Sequence, residues 1–104
     1  MIRVVYLATA RRSLKHLRAY LAKASGSMNV SRRFILRIRA HCDHLASLPF
    51  QMGVSRVELA PDLRSAVFEN YVIFFRYADD RLEIINILEG HRDIPEYFST
   101  ANPE

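Results

Sequence analysis

Apolar residues recur at helical spacing through the first half of the chain and alternate through the second, with the change near Gly53. Residues 2–8, Ile-Arg-Val-Val-Tyr-Leu-Ala, are rich in β-branched side chains and predict a short strand. Thr9 then reads as the N-cap of a helix that carries Ala10, Leu14, Leu17, Leu21 and Ala24 on one face, with Arg11, Lys15 and Arg18 on another. Ser25-Gly26-Ser27 interrupts the period. A second helix is predicted over residues 30–48, with Phe34, Ile38, Cys42, Leu45 and Leu48 inward and Pro49 as its stop. Together the two helices form a hairpin with a narrow apolar seam, and their flanks hold Arg32, Arg33, Arg37 and Arg39.

Past Gly53, residues 55–59 and 64–69 alternate on either side of a turn at Ala60-Pro61-Asp62-Leu63, where proline suits a φ near −65°. Residues 71–77 are apolar on both faces, the pattern of a central strand covered on each side, and they connect to residues 82–88 through a turn at Asp79-Asp80. Asp93 and Glu96 make a capping-box pattern with Pro95 inside the first turn, which predicts a short terminal helix. The expected fold class is α+β: an N-terminal strand, a helical hairpin, a three- to four-stranded antiparallel sheet and a short C-terminal helix, all in one domain over residues 1–104.

Composition agrees with this. A chain of 104 residues that is half apolar buries roughly two thirds of its unfolded surface and folds without staples. Its one cysteine, Cys42, excludes an intramolecular disulfide and fits a reducing compartment. The apolar opening from Val4 to Ala8 is too short for a secretion signal, and no apolar run approaches the ~18 residues of a membrane span, so a cytoplasmic location without membrane contact is expected. Charge changes the picture more. Residues 1–50 carry ten Lys or Arg and one acid, Asp43, whereas residues 51–104 carry five Arg and ten Asp or Glu. Such asymmetry fits an acidic partner or nucleic acid on the first half, or a pair of solvated basic helix faces.

Few residues suggest catalysis. His41, Cys42 and His44 point apart on a helix and have no second pair at finger spacing, so no metal or cofactor site is predicted. Glu89, His91 and Asp93 serve either as acid-base partners or as a strand end and helix cap. Phe68, Tyr71, Phe74, Phe75 and Tyr77 read as core rather than as a base-stacking platform, and Gly26, Gly53 and Gly90 build no phosphate loop. The last strand empties into Gly90-His91-Arg92-Asp93, which delivers cations to one edge of the sheet.

Several segments, in their order and spacing, resemble the ParE/RelE superfamily of bacterial type II toxins. They are the strand and helical hairpin, Leu48-Pro49, Val57-Glu58-Leu59, Pro61-Asp62-Leu63-Arg64, the run from Asn70 to Arg76, and Ile87-Leu88-Glu89-Gly90-His91-Arg92-Asp93. Within that superfamily, ribonuclease members cut messenger RNA on the ribosome with basic residues on the central strands and an arginine after the last one. That chemistry needs a base, an acid and cations for the phosphate. Here Val72 stands at the central-strand arginine position, no lysine follows Lys23, and Arg64 is accompanied only by Ser65, Ala66, Val67 and Phe68. The Tyr-Val-Ile-Phe run and Arg-Asp ending instead resemble the ParE branch, known for poisoning DNA gyrase without catalysis of its own.

The resemblance implies target contacts at Arg92, His91 and Arg64, with the same three as catalytic candidates in the alternative, a ribosome-dependent endoribonuclease. A third reading is a toxin-fold interaction module without toxicity. It also implies a ParD-like acidic antitoxin that folds on binding, and DNA gyrase as target, with no direct sequence-specific binding of nucleic acid. Charge places the antitoxin on the hairpin, at Arg11, Lys15, Arg18, Arg33 and Arg37, with Leu14, Leu17 and Leu21 as apolar contacts.

Overall fold

The computed structural model describes residues 2–90. Seven elements follow in chain order: β1 (Arg3–Tyr6), α1 (Ala8–Ser25), α2 (Met28–Ser47), β2 (Val54–Ser55), β3 (Arg64–Phe68), β4 (Tyr71–Ala78) and β5 (Arg81–Glu89). The strands form one sheet in the order β1-β5-β4-β3-β2. Five strands replace the expected three or four because β1 joins the sheet. It runs parallel to β5, with Val4 opposite Leu82 and Tyr6 opposite Ile84, a pairing far too distant in sequence for local periodicity to reveal. The predicted helix at Asp93, Pro95 and Glu96 lies outside the described residues.

Helix boundaries moved for identifiable reasons. Thr9 does not cap α1; the helix begins at Ala8 with Leu7 as its flanking residue. The Thr9 hydroxyl instead donates to the Ile85 carbonyl at the edge of β5. α2 begins earlier than its apolar period suggested, at Met28, because Ser27 Oγ accepts the Val30 N–H at 3.2 Å. α1 ends at Gly26, whose φ of 71° places it in the left-handed region and turns the chain into α2.

The strand expected over residues 55–59 is only Val54–Ser55. Beyond it the chain leaves the sheet: the Leu59 and Ala60 amides turn back to the Arg56 carbonyl, and the Arg56 N–H donates to the Leu63 carbonyl at 2.7 Å. The turn at Ala60-Pro61-Asp62-Leu63 forms as predicted, with Leu63 N–H donating to Ala60 O and Asp62 at φ 62°.

This excursion explains how β4 is covered on both sides. On the helix side, Ile73 and Phe75 of β4 and Leu82, Ile84 and Ile87 of β5 meet Ala10, Leu14, Phe34, Ile38, Cys42 and Leu45. On the other side Val72, Phe74 and Leu88 pack with Leu63 under Leu59 and Ala60. Each fully buried large side chain stabilises the fold by about 1.5–3 kcal/mol. The His41 ring lies 5.2 Å from that of Phe68 in the aromatic group under α2, and burial lowers its pKa, which favours the neutral form.

Two sites fix the rim of the sheet. Gly53 has φ 78°, and a Cβ there would meet the Ser65 carbonyl oxygen at 2.5 Å and Phe75 Cζ at 2.8 Å. Glu83, 6% exposed, accepts from Arg76 Nε at 2.6 Å and Arg81 Nε at 2.7 Å. These bonds, Arg81's foremost, hold its carboxyl below the usual carboxylate range.

Gly53→Ala should therefore lower stability by roughly 2–4 kcal/mol, combining left-handed strain with overpacking against a strand backbone. Gly26→Ala, at a similar φ but with nothing within 4 Å, should cost only about 1 kcal/mol. Urea titrations of both variants compare the two, and equal losses would mean that the close approach at Gly53 is unimportant. A second prediction concerns acid. Because the folded Glu83 carboxyl titrates below its unfolded counterpart, its pairs stabilise the protein above a pH of about 4.3 and lose their effect as pH falls through the lower folded value. Glu83→Gln should lower the thermal midpoint at pH 7 and flatten its decline below about pH 4.5. A variant whose acid limb is as steep as the parent's would contradict this.

Candidate functional site

β1 pairs with β5 only through Ile84, and α1 then runs along the remainder of the β5 edge. Ser13 Oγ donates to Asn86 Oδ1, which also accepts the Ile87 N–H at 2.8 Å. Farther along, α1 and the sheet leave a groove of about 420 Å³ between His16, Leu17 and Tyr20 on the helix and Tyr71, Leu88 and Glu89 on the sheet. A shallower depression continues past Leu21 and Ala24 to Val67, Val72 and Gly90. Tyr20 is 62% and Val67 70% exposed, large apolar surface that the described residues leave uncovered. Sequence periodicity missed both, since Tyr20 lies one position before the Leu21 of the apolar stripe and Val67 sits on the side of β3 away from the helices, opposite Val72.

The residues expected at the antitoxin interface fall in three places. Leu14 is 6% exposed and belongs to the core, so it offers a partner no surface. Leu17 and Leu21 are half-buried and line the groove or its continuation. Arg11, Lys15, Arg18, Arg33 and Arg37 are all exposed, but they do not share one face. Arg11 and Arg18 flank α1 on the side of α2: Arg11 Nη1 donates to Tyr6 O at 2.6 Å, and Ser31 of α2 donates to the Arg18 carbonyl. Arg37 lies on the other flank of α2, paired with Glu69 and stacked 5.0 Å over Phe34.

The arginines of the central sheet are committed to the scaffold. Arg64 donates from Nε to Met52 O at 2.7 Å and from Nη2 to Gly53 O at 3.1 Å, clamping the segment after α2. Arg76 and Arg81 hold Glu83. Val72, 9% exposed, is apolar packing between Leu63 and Leu88 rather than a surface position. Arg64 also stands at the far end of β3 from Phe68 and the Tyr71–Glu89 pair, about 13 Å along the strand from the end at which β5 runs out. The structure thus sets Arg64 apart from Glu89 and Gly90, where the described part of this segment ends. His91, Arg92 and Asp93 lie outside the described residues.

Buried polar chemistry is sparse. Cys42 is fully buried and its thiol is pushed up to about 11 by burial, which makes it inert as a nucleophile. The Tyr6 hydroxyl beside it forms no hydrogen bond of normal geometry, and its pKa is raised, chiefly by burial. Among the described residues no three His, Cys, Asp or Glu side chains are placed to hold a metal ion. Nor is any described helix long and apolar enough to cross a membrane.

Comparison with known proteins places this architecture. A search of curated proteins finds no match to the sequence. Among solved structures, one described as the chromosomal ParDE toxin–antitoxin system from P. aeruginosa superposes with a TM-score of 0.72 at 16% identity, covering 86% of this chain and 96% of that one. At that identity the likeness is one of fold. The family model for the ParE toxin of the type II toxin–antitoxin system parDE matches residues 4–94, nearly the whole chain, and with the sheet order and helical hairpin above it shows that this chain belongs to the ParE toxin family.

Proposed function

We propose that this ParE-type toxin acts without catalysis, by binding DNA gyrase, and that an acidic antitoxin which folds on binding neutralises it. The observation that carries the first part is the commitment of Arg64, Arg76 and Arg81 to scaffold acceptors. Cleavage of RNA by its own 2′-hydroxyl needs cations free to meet the phosphate and side chains poised to move protons. On the central strands those cations already hold a loop and a buried carboxylate, and Val72 fills an apolar pocket. Inhibition by binding needs only a shaped surface with a few anchors. His91 and Arg92, directly after β5, are the proposed anchors; Arg64 is removed from that set by its bonds to Met52 and Gly53.

The antitoxin is best accommodated by the groove beside α1. A segment that is disordered alone gains affinity by burying apolar side chains, and Leu17, Tyr20, Leu21 and Val67 offer that surface. The positive charge of α1 attracts its carboxylates over distance and speeds encounter without contacting them in the groove.

With purified gyrase, ATP and supercoiled plasmid, the toxin should accumulate linear DNA, while translating ribosomes should keep their messenger RNA intact. Arg92→Ala should lower target affinity about thirtyfold, an anchor loss of roughly 2 kcal/mol, with little change in thermal midpoint. Messenger RNA cleavage that disappears in His91→Ala would replace this mechanism with the ribonuclease one. For the antitoxin, Tyr20→Ala should raise the dissociation constant about tenfold or more, mainly through faster dissociation, and leave gyrase poisoning in place. Unchanged antitoxin kinetics in Tyr20→Ala, measured by surface plasmon resonance, would move the docking site elsewhere.

A further inference from the structure

The outer seam between α1 and α2 concentrates cations that no acidic side chain among the described residues pairs with. Arg11, Lys15 and Arg18 stand at helical steps of four and three on α1, in one row; Arg32 and Arg39, seven apart on α2, make a second row. Two contacts show that the rows flank one seam. Tyr6 accepts a hydrogen bond from Arg11 at its carbonyl and carries the Arg39 guanidinium 4.5 Å over its ring. At the other end Ser31, next to Arg32, donates to the Arg18 carbonyl at 2.6 Å. All five cations are exposed, and among the described residues none of them is in a salt bridge.

Helix stability does not account for them. The two helices hold nine Lys or Arg against a single acid, Asp43. Neither has an acidic residue in its first turn. Arg11 and Arg32 stand near the N-terminal ends, where the macrodipole disfavours positive charge. The core of a protein interface needs apolar surface, and the large apolar side chain exposed between Arg32 and Arg39 is Leu36 alone, at 59%.

We propose that this seam binds the phosphate backbone of duplex DNA without reading its sequence. Seven residues of helix span about 10 Å. Along one strand of a duplex phosphates recur every ~3.4 Å of axis, so a row of three cations covers about three of them. Arginine meets each with a planar fork of donors. Backbone contacts of this kind position a protein on DNA and carry no sequence information of their own. The surface is separate from the proposed antitoxin groove, so a toxin could hold DNA through the hairpin and a protein partner elsewhere.

The test uses the full chain and a labelled ~20-bp duplex of arbitrary sequence, with fluorescence anisotropy between about 50 and 200 mM salt. Five phosphate contacts predict that log K falls with log salt at a slope near −4.5, at about −0.9 per contact. Lys15→Gln with Arg32→Gln should reduce that slope by about 2 and weaken binding at least tenfold at the lowest salt. Arg3→Gln, which removes one positive charge on the β1 edge where each seam substitution would lower the slope by about 0.9, and Leu36→Ser should leave the slope where it is. Circular dichroism melts establish that each variant is folded. The proposal is overturned by absence of salt-dependent binding, by a double variant that binds like the parent, or by Arg3→Gln matching the seam variants. Tighter binding of a single strand of equal length, or of an acidic helical peptide in a manner lost with Leu36→Ser, would also overturn it by assigning the seam a different partner.

Discussion

Strand β5 has nine residues, and β1 pairs with only four of them along one edge. The remaining backbone groups on that edge would otherwise be a template for unwanted pairing. α1 takes over where β1 stops. Leu7 N–H donates to Ile84 O, the Thr9 hydroxyl to Ile85 O and the Ser13 hydroxyl to Asn86 Oδ1, so three successive positions of β5 are met by one continuous piece of chain. At this handover the register with β4 shifts, because Phe74 faces Asn86 while Phe75 faces Ile84, leaving Ile85 as the extra residue. Asn86 fills the gap by accepting from both Ser13 and the Ile87 N–H.

The rest of the molecule follows from this tether. With the start of α1 held to Ile85 and Asn86, its later turns pass beside Leu88 and Glu89, and the groove is the space that remains between helix and sheet. The same tether places Arg11 beside Tyr6 and sends Arg18 toward α2, so the cationic row faces away from the groove. One helix thus separates an apolar surface from a basic one. Its charge cannot be read as a property of a single interface, even though Leu17 and Lys15 are only two residues apart.

Helices, the β4–β5 hairpin and the covered central strand were legible in the sequence because each expresses a local period: Leu14 to Leu21 for the helix, Tyr71 to Tyr77 for the strand, Asp79-Asp80 for the turn. What was not legible depends on contacts between distant residues. Thr9 has the chemistry of an N-cap, and only the nearby Ile85 carbonyl explains why its hydroxyl is used there instead. Residues 55–59 alternate, yet Leu59 turns over the outer sheet face because Val72, Phe74 and Leu88 need cover. Arg64 reads as a free cation beside small residues, and its two bonds to Met52 and Gly53 appear only once the chain is folded. In the candidate site, Leu17 and Leu21 were identified from periodicity, whereas Tyr20 and Val67 were not, since an exposed aromatic or valine has no distinctive pattern of its own.

Fold and the proposed mode of action meet in how the sheet uses its arginines. A sheet with cations free on its central strands presents them to a phosphate, and the geometry of strands then fixes their spacing for chemistry. Here Arg76 and Arg81 converge on Glu83, whose burial at 6% exposure requires that both stay: leaving that carboxylate unpaired in the sheet would destabilise the protein far more than an exposed ion pair stabilises it. Arg64 likewise cannot release Met52 and Gly53 without freeing the segment that Gly53 packs against Ser65 and Phe75. Evolution of a catalytic centre on these strands would have to dismantle supports of the fold. A surface that acts by binding faces less of this conflict, because Tyr20 and Val67, 62% and 70% exposed, are attached to the scaffold without filling its core.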